Sequence, residues 1–276
     1  MSQEPITSTP LSLNGIQSHL GDHPWSSSIQ VFDEVGSTNS LAKELAAKGA
    51  PAGTALIADQ QRAGRGRMGR SFLSPGGVGI YLSVILRPVC RPHELMHLTC
   101  AAAVAMCGAV EQACGFRPGI KWTNDLVVNG RKLGGILTEL SLNAKTGMVD
   151  HAVVGIGINC RQSAEDFDDS IRNMACSARM ISGHDIDRNR LASEMIRWLS
   201  SMDRSLLSAK SAMLDRYRAD CITLGRQISI LRSEEVLHGT ALGVDDEGAL
   251  IVRLDSGEIQ TVSSGEVSIR GLYGYL

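Results

Sequence analysis

The chain has 276 residues, 43% hydrophobic and 20% charged, with a formal net charge of −2, a composition suited to one large folded domain plus a small one. No apolar run is expected to reach the roughly 18–20 residues of a membrane span, and "MSQEPITSTP" lacks the basic and apolar regions of a secretory signal, so a cytoplasmic location without membrane contact is expected. The calculated pI of 6.4 gives no wide basic field for nucleic acid.

In chain order, residues 1–28 are rich in Ser, Thr, Pro and Gly and read as a tail or lead-in, with a weak helical patch at "LNGIQSHL". "SSIQVFDEV" predicts a strand, "STNSLAKELAAKG" a helix with a Ser/Thr/Asn start and a stop at Gly49, and "GTALIADQ" a second strand. "GVGIYLSVIL" predicts a third strand, followed by a helix over about 93–114. Asn129-Gly130, between two apolar runs, predicts a two-residue hairpin turn, and "MVDHAVVGIGINC" is a further strand. Residues 161–188 are polar and irregular, and "LASEMIRWLSSMDRSLLSAKSAMLDRYRAD" has helical spacing. From about Leu224 onward, short strands alternate with tight turns, as in a small all-β barrel. The division expected is 1–28, 29–223 and 224–276, in an α+β chain without a regular βαβ repeat.

Seven cysteines, at 90, 100, 107, 114, 160, 176 and 221, form no CxxC pair and read as reduced thiols. Cys100, Cys107 and Cys114 recur at intervals of seven, on one face of a helix, as small core residues do.

From Gln60 to His93 there is no acidic residue, while Arg62, Arg65, Arg67, Arg70, Arg87 and Arg91 supply six positive charges. In "RAGRGRMGR", guanidinium forks suit carboxylates and phosphates, and Gly64, Gly66 and Gly69 let backbone N–H groups approach a ligand. Three readings are open: an anion-binding loop, a solvated basic turn, and an Arg/Gly segment that contacts RNA. "GRGRMG" fits GxGxxG without the strand-to-helix context, and no Walker motif is present.

A two-residue turn pairs Val127 with Lys132, Asp125 with Gly134 and Asn124 with Gly135. Asp125 and Lys132 then lie diagonally at roughly 7 Å with bare backbone at Gly134 beside them. Such a pair can serve a polar ligand or form a surface ion pair; for Lys132 a charge-stabilising role fits better than a nucleophilic one.

With these segments in hand, the sequence resembles the biotin protein ligases, the biotin–acetyl-CoA-carboxylase ligase family. "GRGRMGR" is similar to the family's GRGRRGR loop, "KWTND" to KWPND, "RKLGGIL" to RKxxGIL and "GIGIN" to G-x-G-I-N, in order from about Ile29 to Arg270. The resemblance implies a mixed-sheet catalytic domain of the biotin/lipoate ligase type followed by a small SH3-like β-barrel. It implies that ATP and Mg²⁺ activate biotin as biotinyl-5'-AMP, which then acylates a lysine of a biotin carboxyl carrier domain of acetyl-CoA carboxylase or another biotin-dependent carboxylase. Lipoate or octanoyl transfer on the same fold is the related alternative.

By matching position, Ser37, Thr38, Asn39 and Gln61 are expected at biotin's ring and ureido group, and Gly64, Arg65 and Gly66 at biotin and its carboxylate. Gly135, Gly155 and Gly157 are expected to keep the floor open. Arg67, Arg70, Phe72, Asn124, Asp125, Asn159 and Arg270 are expected at the nucleotide. Lys132 would bridge the biotinyl carbonyl and the phosphate, with Arg65 and Arg67 the other catalytic cations, and Asp125 would serve Mg²⁺. Met68 and Thr123 replace an arginine and a proline of the family's motifs. The short segment before residue 29 leads to an expectation of no DNA binding, in a monomer or homodimer.

Overall fold

The computed structural model describes residues 9–232, 235–263 and 266–269. The chain forms α1 (Leu13–Leu20), β1 (Ile29–Val35), α2 (Thr38–Ala47), β2 (Ala55–Gln61), β3 (Gly79–Leu86), α3 (Leu98–Cys114), β4 (Gly119–Lys121), β5 (Asp125–Val128), β6 (Arg131–Leu142) and β7 (Val149–Asn159). After these come α4 (Ala178–Ser182), α5 (Arg188–Ser205), α6 (Lys210–Asp220), β8 (Gln227–Arg232), β9 (Glu235–Val244), β10 (Leu250–Leu254), β11 (Ile259–Val262) and β12 (Glu266–Ile269). Seven strands make one sheet in the order β1-β2-β3-β7-β6-β5-β4, with β1 and β2 parallel and the other pairs antiparallel. Five make an antiparallel C-terminal sheet in the order β11-β10-β9-β8-β12. This is the expected α+β catalytic fold with a small SH3-like unit after it.

Local chemistry accounts for the boundaries. Ser37 caps α2 in extended conformation, and Gly49, at φ +91°, takes the chain away from its end. Asn129 and Gly130 are both left-handed, at φ 50° and 75°, as a type I′ hairpin turn demands. Gly115, at φ 78°, ends α3, and Asp187 caps α5 by accepting from the N–H groups of Asn189 and Arg190.

The two faces of the seven-stranded sheet are treated differently. On one, Ile57, Leu82, Val84, Val154 and Ile156 join a large core with α1, α3, α5 and α6. Cys100, Cys107 and Cys114 are buried there, as expected from their spacing. On the other, α2 sets Ala42 and Ala46 against Leu56, Ile85 and Val153. Since α2 is only 10 residues long, it covers part of this face and leaves the rest for a ligand.

Two expectations need correcting. The stretch Pro92–Cys114 is, by length and composition, apolar enough to cross a membrane, yet it lies mostly buried between the sheet and α5. Its alanines and cysteines make a slim core helix that lets neighbours approach closely, as where Gly108 lies under the Trp198 ring. The lead-in is likewise no mere tail: α1 packs on α5 and puts Ile16 and Leu20 into the main core, with Leu11 just before it, while Arg197 donates to the carbonyls of His19 and Leu20. The short amphipathic patch is weak evidence by itself, and docking makes it a helix.

Replacing fully buried Ile16 with Ala should therefore destabilise the protein by about 2–4 kcal/mol in urea unfolding. An unchanged midpoint would mean that the segment is not part of the cooperative core.

Candidate active site

The site begins with strand register. On the face that α2 leaves open, Tyr81, Gly157, Gly135 and Asp125 form one row across β3, β7, β6 and β5, and Ser83, Gly155 and Leu137 form the next. Strand side chains alternate between faces, so glycines two residues apart on β7 leave a continuous bare patch. Any Cβ on Gly155 would overlap Asn39 Oδ1, and one on Gly157 would stand 2.5 Å from the Phe72 ring. An open cleft of about 990 Å³, counting the solvent in its mouth, lies over this patch.

The hairpin differs from its expected register. A bulge at Leu126/Val127 leaves Leu133 without an opposite residue, so Asp125 pairs with Gly135 rather than Gly134. Val127 still pairs with Lys132, so Asp125 and Lys132 remain diagonal neighbours, and the lysine reaches across to set its Nζ 2.7 Å from Asp125 Oδ1. The bare backbone beside the pair is Gly135, where an added Cβ would lie 3.4 Å from Lys132 Nζ and 3.5 Å from Asp125 Oδ1. Gly134 instead abuts the carbonyl of Gly157, as close strand packing requires.

One end of the cleft is a polar network. Gln61 Oε1 accepts from both the N–H (2.9 Å) and the hydroxyl (3.1 Å) of Thr38, and Gln61 Nε2 donates to Ser74 Oγ at 2.9 Å. Ser83 Oγ lies 2.8 Å from Thr38 Oγ1 and 2.6 Å from Asn39 Oδ1. Ser37, Thr38 and Asn39 are buried here, and Ser37 also caps α2, so capping and site formation coincide. Ser83 and Ser74 were not among the expected residues. Ser83 is nonetheless visible in sequence as the one small polar side chain inside the apolar run "GIYLSVIL", where a buried polar group needs partners.

The arginine loop folds back on itself over the cleft. Arg65 bridges Ser71, Gly66 N–H donates to the Arg70 carbonyl at 2.7 Å, and Phe72 N–H donates to the Gly64 carbonyl at 2.8 Å. Gly64 does not line the cleft; a side chain on it would strike the Phe72 carbonyl, so its role here is to let the two arms of the loop meet. Arg65, Gly66, Arg67, Arg70 and Phe72 do line it. Arg67 Nη1 donates to Asn124 Oδ1 at 2.9 Å, and Asn124 Nδ2 to the Ile136 carbonyl at 2.9 Å. Arg65 is turned toward Glu139, with both carboxylate oxygens at 3.2 Å, rather than toward the hairpin lysine. These side chains are engaged with the body of the protein, which disfavours a simple solvated turn. Met68 occupies the tip, 68% exposed and left-handed at φ 55°, a conformation uncommon for a residue with a Cβ.

Phe72 meets Tyr81 edge to face, with ring centroids 6.3 Å apart. Tyr81 Oη donates to the Pro75 carbonyl at 3.0 Å, and burial pushes the phenol's pKa upward, so it stays a donor. Besides Gly64, Asn159 is an expected residue that is not brought to the cleft. Asn159 Nδ2 donates to the Cys176 carbonyl and its Oδ1 accepts from Gln162, which ties the end of β7 to the irregular segment. Arg270 lies outside the described residues.

The motif "KWTND" also joins the two sheets. Trp122 Nε1 donates to the Gly248 carbonyl at 3.0 Å, in the turn before β10, and Trp122 N–H donates to Thr223 Oγ1 at 2.9 Å. The Trp122–Thr123 peptide bond is cis, and the Thr123 carbonyl accepts from Tyr217 Oη at 3.0 Å, so threonine in place of proline still leaves a tethered backbone. Chemically, the cleft offers polar groups at one end, a bare floor in the middle, and Lys132, Arg67 and Arg70 where negative charge can collect.

The chain is similar in sequence and fold to known proteins. Residues 31–159 match the biotin/lipoate A/B protein ligase family, and residues 223–270 match the biotin protein ligase C-terminal domain. The chain is 34% identical over 238 residues to the bifunctional ligase/repressor BirA of Bacillus subtilis, covering 86% of this chain and 72% of that one. It is 33% identical over 248 residues to the biotin–acetyl-CoA-carboxylase ligase of Mycobacterium tuberculosis, covering 87% and 88%. The structure of biotin protein ligase from Aquifex aeolicus in complex with biotin and ATP matches with a TM-score of 0.73 at 29% identity, over 88% of this chain and 98% of that one. With the glycine floor, the arginine loop, the Lys132–Asp125 pair and the C-terminal sheet all in place, this chain belongs to the biotin protein ligase family.

Proposed function

We propose that the protein uses ATP to activate biotin as biotinyl-5'-AMP and passes the biotinyl group to a lysine of a carrier protein. The observation that carries this reading is the Lys132–Asp125 pair beside Gly135, which places an oriented ammonium over bare backbone between the polar end of the cleft and Arg67. In the first step a carboxylate oxygen of biotin bonds to the α-phosphorus and the bond to pyrophosphate breaks. In the second, the carrier's neutral amine attacks the acyl carbon, the bond to the phosphate oxygen breaks, AMP leaves and the amine gives up a proton.

Lys132 serves both steps as a fixed cation beside the oxygens where charge builds, without forming a covalent bond. Arg67, held by Asn124, and Arg70 neutralise phosphate oxygens, and Ser37, Thr38, Asn39 and Gln61 meet the ureido end, with Ser83 behind Thr38 and Asn39. Phe72, over Gly157, shields the acyl phosphate from water. Among the described residues no cluster of three or more His, Cys, Asp or Glu could cage a metal. Magnesium commonly uses one or two carboxylates and substrate phosphates, and Asp125 with ATP's oxygens fits that mode. There the ion would offset triphosphate charge.

The acceptor we propose is the biotin carboxyl carrier domain of acetyl-CoA carboxylase or a related carboxylase. Seven free cysteines support the reducing, cytoplasmic setting we propose, and the proposed assembly is a monomer or homodimer.

Incubation with biotin, ATP, Mg²⁺ and an apo carrier domain should add one biotinyl mass to the carrier in intact-protein mass spectrometry; no gain would sink the proposal. Lys132→Ala should slow biotin-dependent pyrophosphate release by roughly 100-fold or more with the circular dichroism spectrum retained. Gly155→Ala, whose methyl must displace the Asn39 amide, should weaken biotin binding by at least about tenfold in titration calorimetry.

A further inference from the structure

Glu139 lies on β6 one row beyond the glycine patch, paired with Val153, and its side chain is 18% exposed. Its Oε1 accepts from Lys43 Nζ at 2.9 Å and Arg65 Nη1 at 3.2 Å, and its Oε2 accepts from Asn39 Nδ2 at 3.1 Å and the same Arg65 nitrogen at 3.2 Å. Asn39 and Lys43 are one turn apart on α2, and Arg65 belongs to the loop, so one carboxylate joins three elements around the polar end of the cleft. Burial alone would raise its pKa, but hydrogen bonds from Lys43 and Asn39 and the nearby charge of Arg65 outweigh that and hold it below the ordinary value. It therefore stays ionised at neutral pH.

Two further observations give this carboxylate a directing role. No acid occurs between Gln60 and His93, so the loop's positive charge must be balanced from elsewhere in the fold. The Asn39 amide also has no choice of orientation. The Glu139 carboxylate and the Leu137 carbonyl, 3.3 Å away, can only accept, so Nδ2 faces them and Oδ1 faces Ser83 and Gly155.

We infer that Glu139 is a positioning residue for the non-reacting end of the substrate, holding the arginine loop over the floor through Arg65 before ligand arrives and setting the Asn39 amide that walls the cleft. The identity of the substrate rests on the biotin reading; the tie between loop and sheet does not. Glu139→Gln keeps the size and one acceptor oxygen while removing the charge that draws in Arg65 and Lys43.

The test combines ligand-free hydrogen exchange over residues 62–74 with steady-state pyrophosphate release. For Glu139→Gln, loop exchange should quicken about fivefold and KM for biotin should rise about fivefold, with kcat within about twofold of wild type. Added KCl should quicken loop exchange in the wild type and leave the variant nearly unchanged, because only the wild type has a tie for salt to screen. Arg65→Gln, whose side chain is 45% exposed, should quicken loop exchange to the same degree, and the double variant should go no further. Wild-type exchange in both single variants, or a fall in kcat with KM unchanged, would overturn the inference. A wild-type enzyme without biotin-dependent turnover would defeat the biotin reading, while the exchange and salt series would still decide the tie.

Discussion

A sheet face can receive a ligand only where no side chain stands on it, and Gly135, Gly155 and Gly157 clear such a patch on neighbouring strands. Everything else at the site is arranged around that patch. The start of α2 supplies its polar wall because the helix is too short to cover it, and Phe72 reaches it because Gly157 has no Cβ. Lys132 reaches Asp125 diagonally across the hairpin, and a bulge at Leu126/Val127 makes Gly135 the bare residue beside them.

Charge is organised on the same plan. The loop brings arginines and no acids, and the fold returns partners from distant segments: Glu139 for Arg65 and Asn124 for Arg67. Binding an anion therefore competes with, or builds on, contacts already made, rather than ordering four free cations from solvent. At the opposite side of the motif, Trp122 carries the constraint into the C-terminal sheet through Gly248, whose own Cβ would lie 2.9 Å from Cys100 Sγ. One short stretch thus lines the cleft and fixes the neighbouring unit.

Much of the fold could be read directly along the chain. Ser37 and Gly49 bound α2, Asn129-Gly130 makes the predicted two-residue turn, and the sevenfold cysteine spacing marks a buried helix face. These features depend on neighbours within a few residues, where propensity and backbone geometry act. The helix α1 was harder to recognise, since eight residues with modest amphipathicity gain stability only by docking on α5. The stretch Pro92–Cys114 reads as a core helix and is one, although its composition alone would also suit a membrane span, because composition does not tell a helix buried in protein from one buried in lipid.

For the site, the sequence by itself determined which residues carry the chemistry: the loop arginines, Asn124, Asp125, Lys132 and the glycines. Tertiary structure decided which of them meet. It drew Asn159 into a tie with Cys176, made Gly135 rather than Gly134 the bare neighbour of Lys132, and gave Arg65 a partner 74 residues away in Glu139. Residue type sets what a group can do, but register and charge balance are long-range properties, settled only when distant strands pair and every buried or crowded ion finds its counterpart.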